Sequence, residues 1–237
     1  MARVYIHEVV DVVGTERRRY QEHVTTTWGP IARANRQQRC FGVFTLVGST
    51  GRWPQVVNLW EFDSWGDLAA DLEFELSGPG HRDPDLEAWW SEGAGLRTGG
   101  EDRILIAHDD APGVGHWMER GGTGSVAYVH ETLRVPPGDA AETLEVVVGP
   151  AAEDHASFGL GLVGAFRTAM VADDEVVAIW GVPDWAAWAA YEEAAAGGGL
   201  EFLRLWERVS GRVRDRRRVL LVDAEHSPLR TGRQPGD

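Results

Sequence analysis

The sequence predicts an α+β fold in which one βαββαβ unit is written twice along a single chain. Three observations lead there. The run Val56-Val57-Asn58-Leu59-Trp60-Glu61-Phe62 alternates β-branched and aromatic residues with a period of two, as a strand does, and Asp63-Ser64 then caps a helical stretch from Trp65 to about Leu76. A second copy of this strand–turn–helix stands 120 residues later at Val176–Trp185, with Trp60 answered by Trp180 and Trp65 by Trp185. The flanking segments repeat in the same order. In each unit the arrangement is ferredoxin-like: a four-stranded antiparallel sheet with both helices on one face.

The elements follow in turn. Val4–Val10 is a first strand, with Tyr5, His7 and Val9 on one face and Val4, Ile6 and Glu8 on the other. Gly14-Thr15-Glu16 opens a charged helix from Arg17 to about Val24, and Pro30 either kinks it or starts a second helix at Ile31. Phe41–Val47 is the second strand, joined through a turn-rich 48–54 segment to the third at Val56. After the Trp65 helix, the Gly- and Pro-rich stretch 78–85 is a loop, Leu86–Glu92 a short helix and Arg103–Ala107 the fourth strand. Residues 109–125, with their Gly clusters, form a linker between a domain at 1–108 and one at 126–223. There Val126–Glu131 repeats Val4–Glu8, Gly149-Pro150 repeats Gly29-Pro30, Gly164-Ala165-Phe166 repeats Gly42-Val43-Phe44, and Arg218–Leu221 repeats Arg103–Ile106. Residues 224–237 have no periodicity and are expected to be a flexible tail. The bare face of each sheet needs a cover, and the other copy supplies it, sheet against sheet.

Composition narrows the function. A net charge of −14 disfavours nucleic acid and anionic membrane surfaces as partners. The single cysteine, Cys40, rules out an internal disulfide or a multi-thiolate metal site, and no apolar run is long enough to span a bilayer. A cytoplasmic protein without bound metal is expected. Glycine-rich nucleotide cradles, His-x-x-x-His spacing and a serine nucleophile elbow are all missing from the sequence. Eleven tryptophans suit either a packed core or the walls of a pocket for a flat aromatic ligand.

A pocket is expected between the first sheet and its own helices, because an amide and an indole, Asn58 and Trp60, point the same way there. His7 and His81 are the candidate proton acceptors and Arg52 a candidate for holding a carbonyl or phosphate, with Tyr5, Trp28, Trp53, Trp60 and Trp65 around the ligand. Each has a plain structural alternative, in the core or in solvated turns. Differences between the copies separate the two kinds of role: Trp60 and Trp180 match, and so do His7 and His130, whereas Asn58 becomes Ala178 and Arg52-Trp53-Pro54 has no counterpart. The first half thus carries the polar inventory.

The segment Arg52–Glu61, preceded by Gly42-Val43-Phe44 and following the opening Val-Tyr-Ile-His-Glu, resembles the NIPSNAP-like branch of the dimeric α+β barrel superfamily. Over the first half it is similar to the flavin-dependent oxygenases that open the B ring of angucyclines. The resemblance implies a dimeric α+β barrel formed within one chain. It also implies an oxygenase that cleaves a carbon–carbon bond of a polycyclic quinone, using O2 and reduced flavin (FADH2 or FMNH2) delivered by a separate reductase, with a homodimer as a further expectation. A cofactor-independent monooxygenase, a polyketide cyclase and a non-catalytic aromatic-ligand binder are the alternatives.

Overall fold

A computed structural model describes residues 2–78, 83–170, 172–198 and 213–237. Eight antiparallel strands close into a barrel with helices on its outside. The strands are β1 (Val4–Val12), β2 (Arg39–Leu46), β3 (Gln55–Phe62), β4 (Arg97–Ala107), β5 (Ala127–Arg134), β6 (Gly161–Ala169), β7 (Glu175–Val182) and β8 (Asp215–Asp223). Their order around the barrel is β1-β3-β2-β8-β5-β7-β6-β4. Each half therefore runs 4-1-3-2 in its own strands. The expected face-to-face pair of sheets is joined along both edges, by Ile104–Ala107 against Phe166–Ala169 and by Phe44–Leu46 against Leu221–Asp223.

Closure gives every strand an inner and an outer face. Tyr5, Phe41, Phe44, Leu59, Leu105, Tyr128, Phe166, Ile179 and Leu221 fill one end of the lumen as a single buried cluster. Two glycines make that filling possible. A Cβ on Gly42 would lie 2.6 Å from the Phe44 ring, and one on Gly164 would lie 2.5 Å from the Phe166 ring. The register of each strand shifts beside that glycine, so the repeated Gly-x-Phe motif is a bulge that lets an aromatic ring fold back over its own strand.

The first helix differs from expectation in an informative way. Helix α1 (Arg17–Glu22) passes through a π-turn at His23–Trp28 into α2 (Gly29–Arg36), with Pro30 in the first turn where its missing N–H costs nothing. The second half repeats the device: α6 (Ala140–Val146), a π-turn at Val147–Ala151 and α7 (Ala152–Ala156). Helix α3 covers Trp65–Leu76, capped by Ser64, whose hydroxyl accepts from Asp67 N; α4 covers Pro84–Leu96 and α8 Trp185–Ala196. No helix among the described residues is long and apolar enough to cross a membrane.

Two segments expected to be loose are packed. The linker carries a helix, α5 (Val114–Glu119), whose first N–H donates to Glu61 Oε2 at 2.8 Å, and Val114 is fully buried. The tail carries a short helix at Pro228–Thr231, and Gln234 both accepts from Cys40 N (2.9 Å) and donates to Cys40 O (2.8 Å) on the outer strand β2. Sequence periodicity missed this segment because side-chain anchors, not a repeated apolar face, hold it. Leu229 is fully buried in the lumen cluster. Its replacement by alanine should cost about 2–5 kcal/mol in urea unfolding, and a loss below about 0.5 kcal/mol would show that the tail is not part of the folded unit.

Candidate functional site

The strand register decides which of the candidate residues can meet. On β1 and β3 the partners are Ile6↔Trp60, His7↔Leu59 and Glu8↔Asn58. Glu8, Asn58 and Trp60 consequently point outward to the helices, and His7 points into the lumen. The two indole- and amide-bearing residues do share the helix-facing side, as expected. The convergence of His7 with them does not occur.

On the helix side lies a cavity of about 160 Å3. Its floor is Trp60 and Glu8; Tyr20, His23 and Trp28 come from α1 and the π-turn, and Trp89 and Trp90 from α4. The indoles form a continuous wall: Trp28 and Trp89 have centroids 4.4 Å apart, Trp89 meets Trp90 edge-on at 4.9 Å, and the His23 ring stacks on Trp89 at 4.7 Å. The Trp28 N–H is held by Gln38 Oε1 at 3.0 Å, and the Arg36 guanidinium lies 4.9 Å over the same indole. Arg36 itself is tied to Asp71 and Glu75.

Glu8 was not among the residues singled out from the sequence, and it is the centre of the site. Its Oε2 accepts from Trp60 Nε1 at 2.8 Å and from Asn58 Nδ2 at 3.0 Å. The other Asn58 amide contact is to the Tyr20 hydroxyl, 3.0 Å away. Asn58 is fully buried behind these groups and does not line the cavity, so it orients Glu8 and Tyr20 and is not itself a ligand contact. Burial raises the Glu8 carboxyl above its ordinary pKa; the hydrogen bonds from Asn58 and Trp60 oppose this, Asp102 adds to it and Arg97 opposes it. Burial likewise raises the Tyr20 hydroxyl.

The signal that identifies Glu8 was the repeat itself, through a comparison not of motifs but of partners. In the second half Glu131 and Trp180 make the same contact, at 2.9 Å. There, however, Arg216 forms an ion pair with Glu131. Burial would raise Glu131, but Arg216 and the neighbouring His155 bring its pKa below the usual value. Arg216 stands opposite Leu133 on the ladder, and the matching place opposite Val10 is Gly100. The space is filled as well. His155 stacks on Trp180 at 3.8 Å and lies 2.8 Å from the Tyr191 hydroxyl, where the helix register of the first half has Asp71.

The remaining candidates lie elsewhere. His7 and His130 meet across the lumen, Nε2 to Nε2 at 2.9 Å, both buried. They sit at the floor of a larger hollow of about 500 Å3, whose rim charges are largely paired already: Arg52 with Asp11 at 2.9 Å, and Arg103 and Arg134 with Glu175 at 2.7 and 3.0 Å. Arg52 thus belongs to the lumen rim. Tyr5 is inside the barrel and donates to Glu61 at 2.6 Å. Trp53 and Trp65 are 58% and 43% exposed and wall neither cavity. His81 lies outside the described residues. Among the described residues no cluster of three or more metal-ligating side chains is present.

No family model matches the chain, and no curated protein matches it. Solved structures share its fold over nearly the full length. An anthrone oxidase-like protein superposes with a TM-score of 0.61 at 16% identity, over 99% of this chain and 94% of that one. A candidate monooxygenase from Fusobacterium nucleatum subsp. nucleatum gives 0.60 at 9% identity, over 94% and 93%. A second candidate monooxygenase, from Lactobacillus acidophilus, gives 0.56 at 12% identity, over 94% of each chain. At these identities the likeness is one of fold: an α+β eight-stranded antiparallel barrel, consistent with a dimeric α+β barrel.

The histidine pair has a consequence for stability. Burial lowers both pKa values, that of His130 to about 4; Arg103 adds to the lowering of each ring, and His130 adds to that of His7. Such a histidine takes its proton more readily unfolded than folded, so stability falls as the pH drops from the unfolded value of about 6.5 toward 4. Asp223, raised by burial to about 6, titrates with the opposite sign over this range, so a variant is needed to isolate the histidines. The stability advantage of the wild type over His130→Gln should shrink between pH 7 and pH 5 in chemical unfolding. A constant difference would show that protonation of the pair is not involved.

Proposed function

We propose that the chain is an oxygenase for a hydroxylated polycyclic aromatic compound, which lies against the indoles of the helix-side cavity in the first half. In this reading the barrel is a tandem ferredoxin-like repeat, with a first domain at 1–108 that kept its site and a second at 126–223 that closed it. The carrying observation is the contrast between two matched glutamates. Glu131 is held by Arg216 beneath a filled space, whereas Glu8 has no ion pair among the described residues and faces an open, aromatic-walled one. A carboxylate left unneutralised in a cavity is costly, and sites of chemistry are where such arrangements concentrate. The anthrone oxidase-like and candidate monooxygenase neighbours support oxygenation as the reaction type.

The residues present do not fit a reduced flavin at this cavity. Its volume of about 160 Å3 leaves no room for an isoalloxazine beside a polycyclic substrate. Glu8, Asp71, Glu75 and Asp102 outnumber Arg36 and Arg97 around it, which repels the phosphates of FMN or FAD. Direct reaction of an ionised substrate with O2 suits the geometry better. For an aryl-flanked ring methylene the balance is simple: CH2 becomes C=O, one oxygen atom enters the carbonyl, the other leaves as water, and O2 takes up four electrons. Ring opening of an angucyclinone quinone with reduced flavin from a partner reductase is the flavin-dependent alternative.

Oxygen uptake with a hydroxyanthrone probe tests this. We expect turnover in air without flavin or reductase, and Leu72→Trp, which narrows the cavity at a partly exposed position, should lower kcat/KM at least about tenfold by excluding the ring system. Turnover that appears only with a reductase and flavin would establish the flavin-dependent reading instead. Conversion without oxygen would indicate a cyclase, and tight binding with no conversion an aromatic-ligand binder.

A further inference from the structure

We propose that Glu8, backed by Asp102 across the β1–β4 ladder, is the group that takes the hydroxyl proton of the aromatic substrate. This rests on the oxygenase reading of the same cavity and names its base and its substrate class: a ring hydroxyl that must ionise before oxygen can react. The step is a proton transfer in which the substrate O–H bond breaks, a Glu8 O–H bond forms and the ring oxygen keeps the electron pair.

Four features of the placement carry it. Glu8 is the carboxylate bonded to Trp60 at the cavity floor, and its Oε2 is pinned by two N–H donors, so the carboxyl group cannot swing away. Asn58 spends its amide group on this pinning and on Tyr20, which places a phenol beside the carboxyl. Glu8 and Asp102 are direct partners in the ladder, where opposed Cβ atoms lie about 4.5–5.5 Å apart. In the second half both positions around the matched carboxylate are basic: Arg218 replaces Asp102 opposite Glu131, and Arg216 replaces Gly100. The first half has exchanged two arginines for an acid and a glycine around one glutamate, which turns a neutralised carboxylate into a stronger base.

The other charged or titratable neighbours act from every side. Arg97 lies over Trp90 on β4's side and opposes the effect of Asp102. From the helices, Tyr20 is kept neutral by burial, His23 has its pKa lowered by burial, and Arg36 is already occupied by Asp71 and Glu75. None of these is a competing anionic acceptor on the floor. Tyr20, whose hydroxyl accepts from Asn58, keeps its O–H to donate to the ring oxygen once that is ionised, whereas the His23 Nε2–H is already given to the Trp89 carbonyl.

The test uses 2-hydroxyanthraquinone, a hydroxyaromatic that cannot be oxidised at a methylene and whose anion absorbs at longer wavelength than its neutral form. Titrated into the full-length protein, it should bind with its hydroxyl ionised at a pH where the free compound is neutral. Glu8→Gln retains an acceptor for Asn58 and Trp60, so it should bind the neutral compound within about threefold of wild type but move its ionisation up by at least about one pH unit. With the hydroxyanthrone probe its kcat should fall about 10²-fold or more, and Glu8→Asp should recover part of both effects. Asp102→Asn makes Glu8 a weaker base and should give an intermediate shift. A probe that binds wild type but stays neutral, or ionises equally in Glu8→Gln, overturns the assignment of Glu8 and leaves the oxygenase reading standing. An unchanged Asp102→Asn removes Asp102 from it. Failure of both aromatic probes to bind wild type overturns the oxygenase reading, and the assignment of Glu8 with it.

Discussion

Closure of the sheet is the constraint on which everything else in this molecule depends. Once β2 pairs with β8 and β4 with β6, the sheet closes on itself, and each residue is committed to the lumen or to the helices by the parity of its position. His7 and Glu8 are neighbours in sequence, yet one meets His130 inside the barrel and the other meets Trp60 outside it. One step along the strand separates the lumen from the helix side. The lumen end packed with Tyr5, Phe44, Tyr128 and Phe166 then joins residues of both halves in one buried cluster, to which Leu229 of the C-terminal segment belongs.

On that frame the two halves differ in what surrounds a matched glutamate. Both keep the glutamate on the first strand, the tryptophan on the third, and the π-turn in the helix above them. A π-turn places an extra residue in one helical turn, and such turns recur at functional sites. Here its presence in both halves makes it part of the architecture. What differs is the surroundings. Arg216, Tyr191 and His155 gather around Glu131 and Trp180 in the second half, whereas Asp71, Asp102 and the indoles of Trp89 and Trp90 line the cavity beside Glu8 in the first. The buried Glu131 carboxylate is neutralised by a bonded guanidinium, whereas Glu8, beside an empty volume and a second carboxylate, has two N–H donors and the more distant Arg97 to offset its burial.

Much of this was legible in the residues. The period-two run around Trp60, its copy at Trp180 and the recurrence of Gly-x-Phe were enough for the strands and their order along the chain, because these features depend on local sterics and on burial of one face. The helix-side location of the pocket also followed from Asn58 and Trp60 sharing a face. Less could be said of the site. Glu8 looked like any polar residue at the outer side of a strand, since its meaning depends on what lies across the ladder, and Arg216 and Gly100 occupy matching places that no motif marks. His7 drew attention as a histidine near a pocket, but the parity that separates it from Asn58 becomes binding only once the β1–β3 register is known. The tail and the linker were read as loose because they lack periodicity, yet single anchors such as Gln234 on the Cys40 backbone and Glu61 on the Val114 N–H hold them.

The larger hollow inside the barrel is the obvious rival for the site, and its chemistry argues against it. Volume alone favours it by about 500 to 160 Å3. Its walls, however, are charged groups that mostly satisfy one another: Glu175 accepts from Arg103, Arg134 and Thr168, and Asp11 from Arg52 and Gln55. A flat, largely apolar ligand entering there would have to strip water from these ions without replacing their partners, a cost that buried ring area does not recover. The helix-side cavity presents the reverse balance, with indole faces for the rings and a pinned carboxyl for one hydroxyl. Charge thus favours the smaller space as the candidate site, and Asp102 lines it at the place where the second half has Arg218.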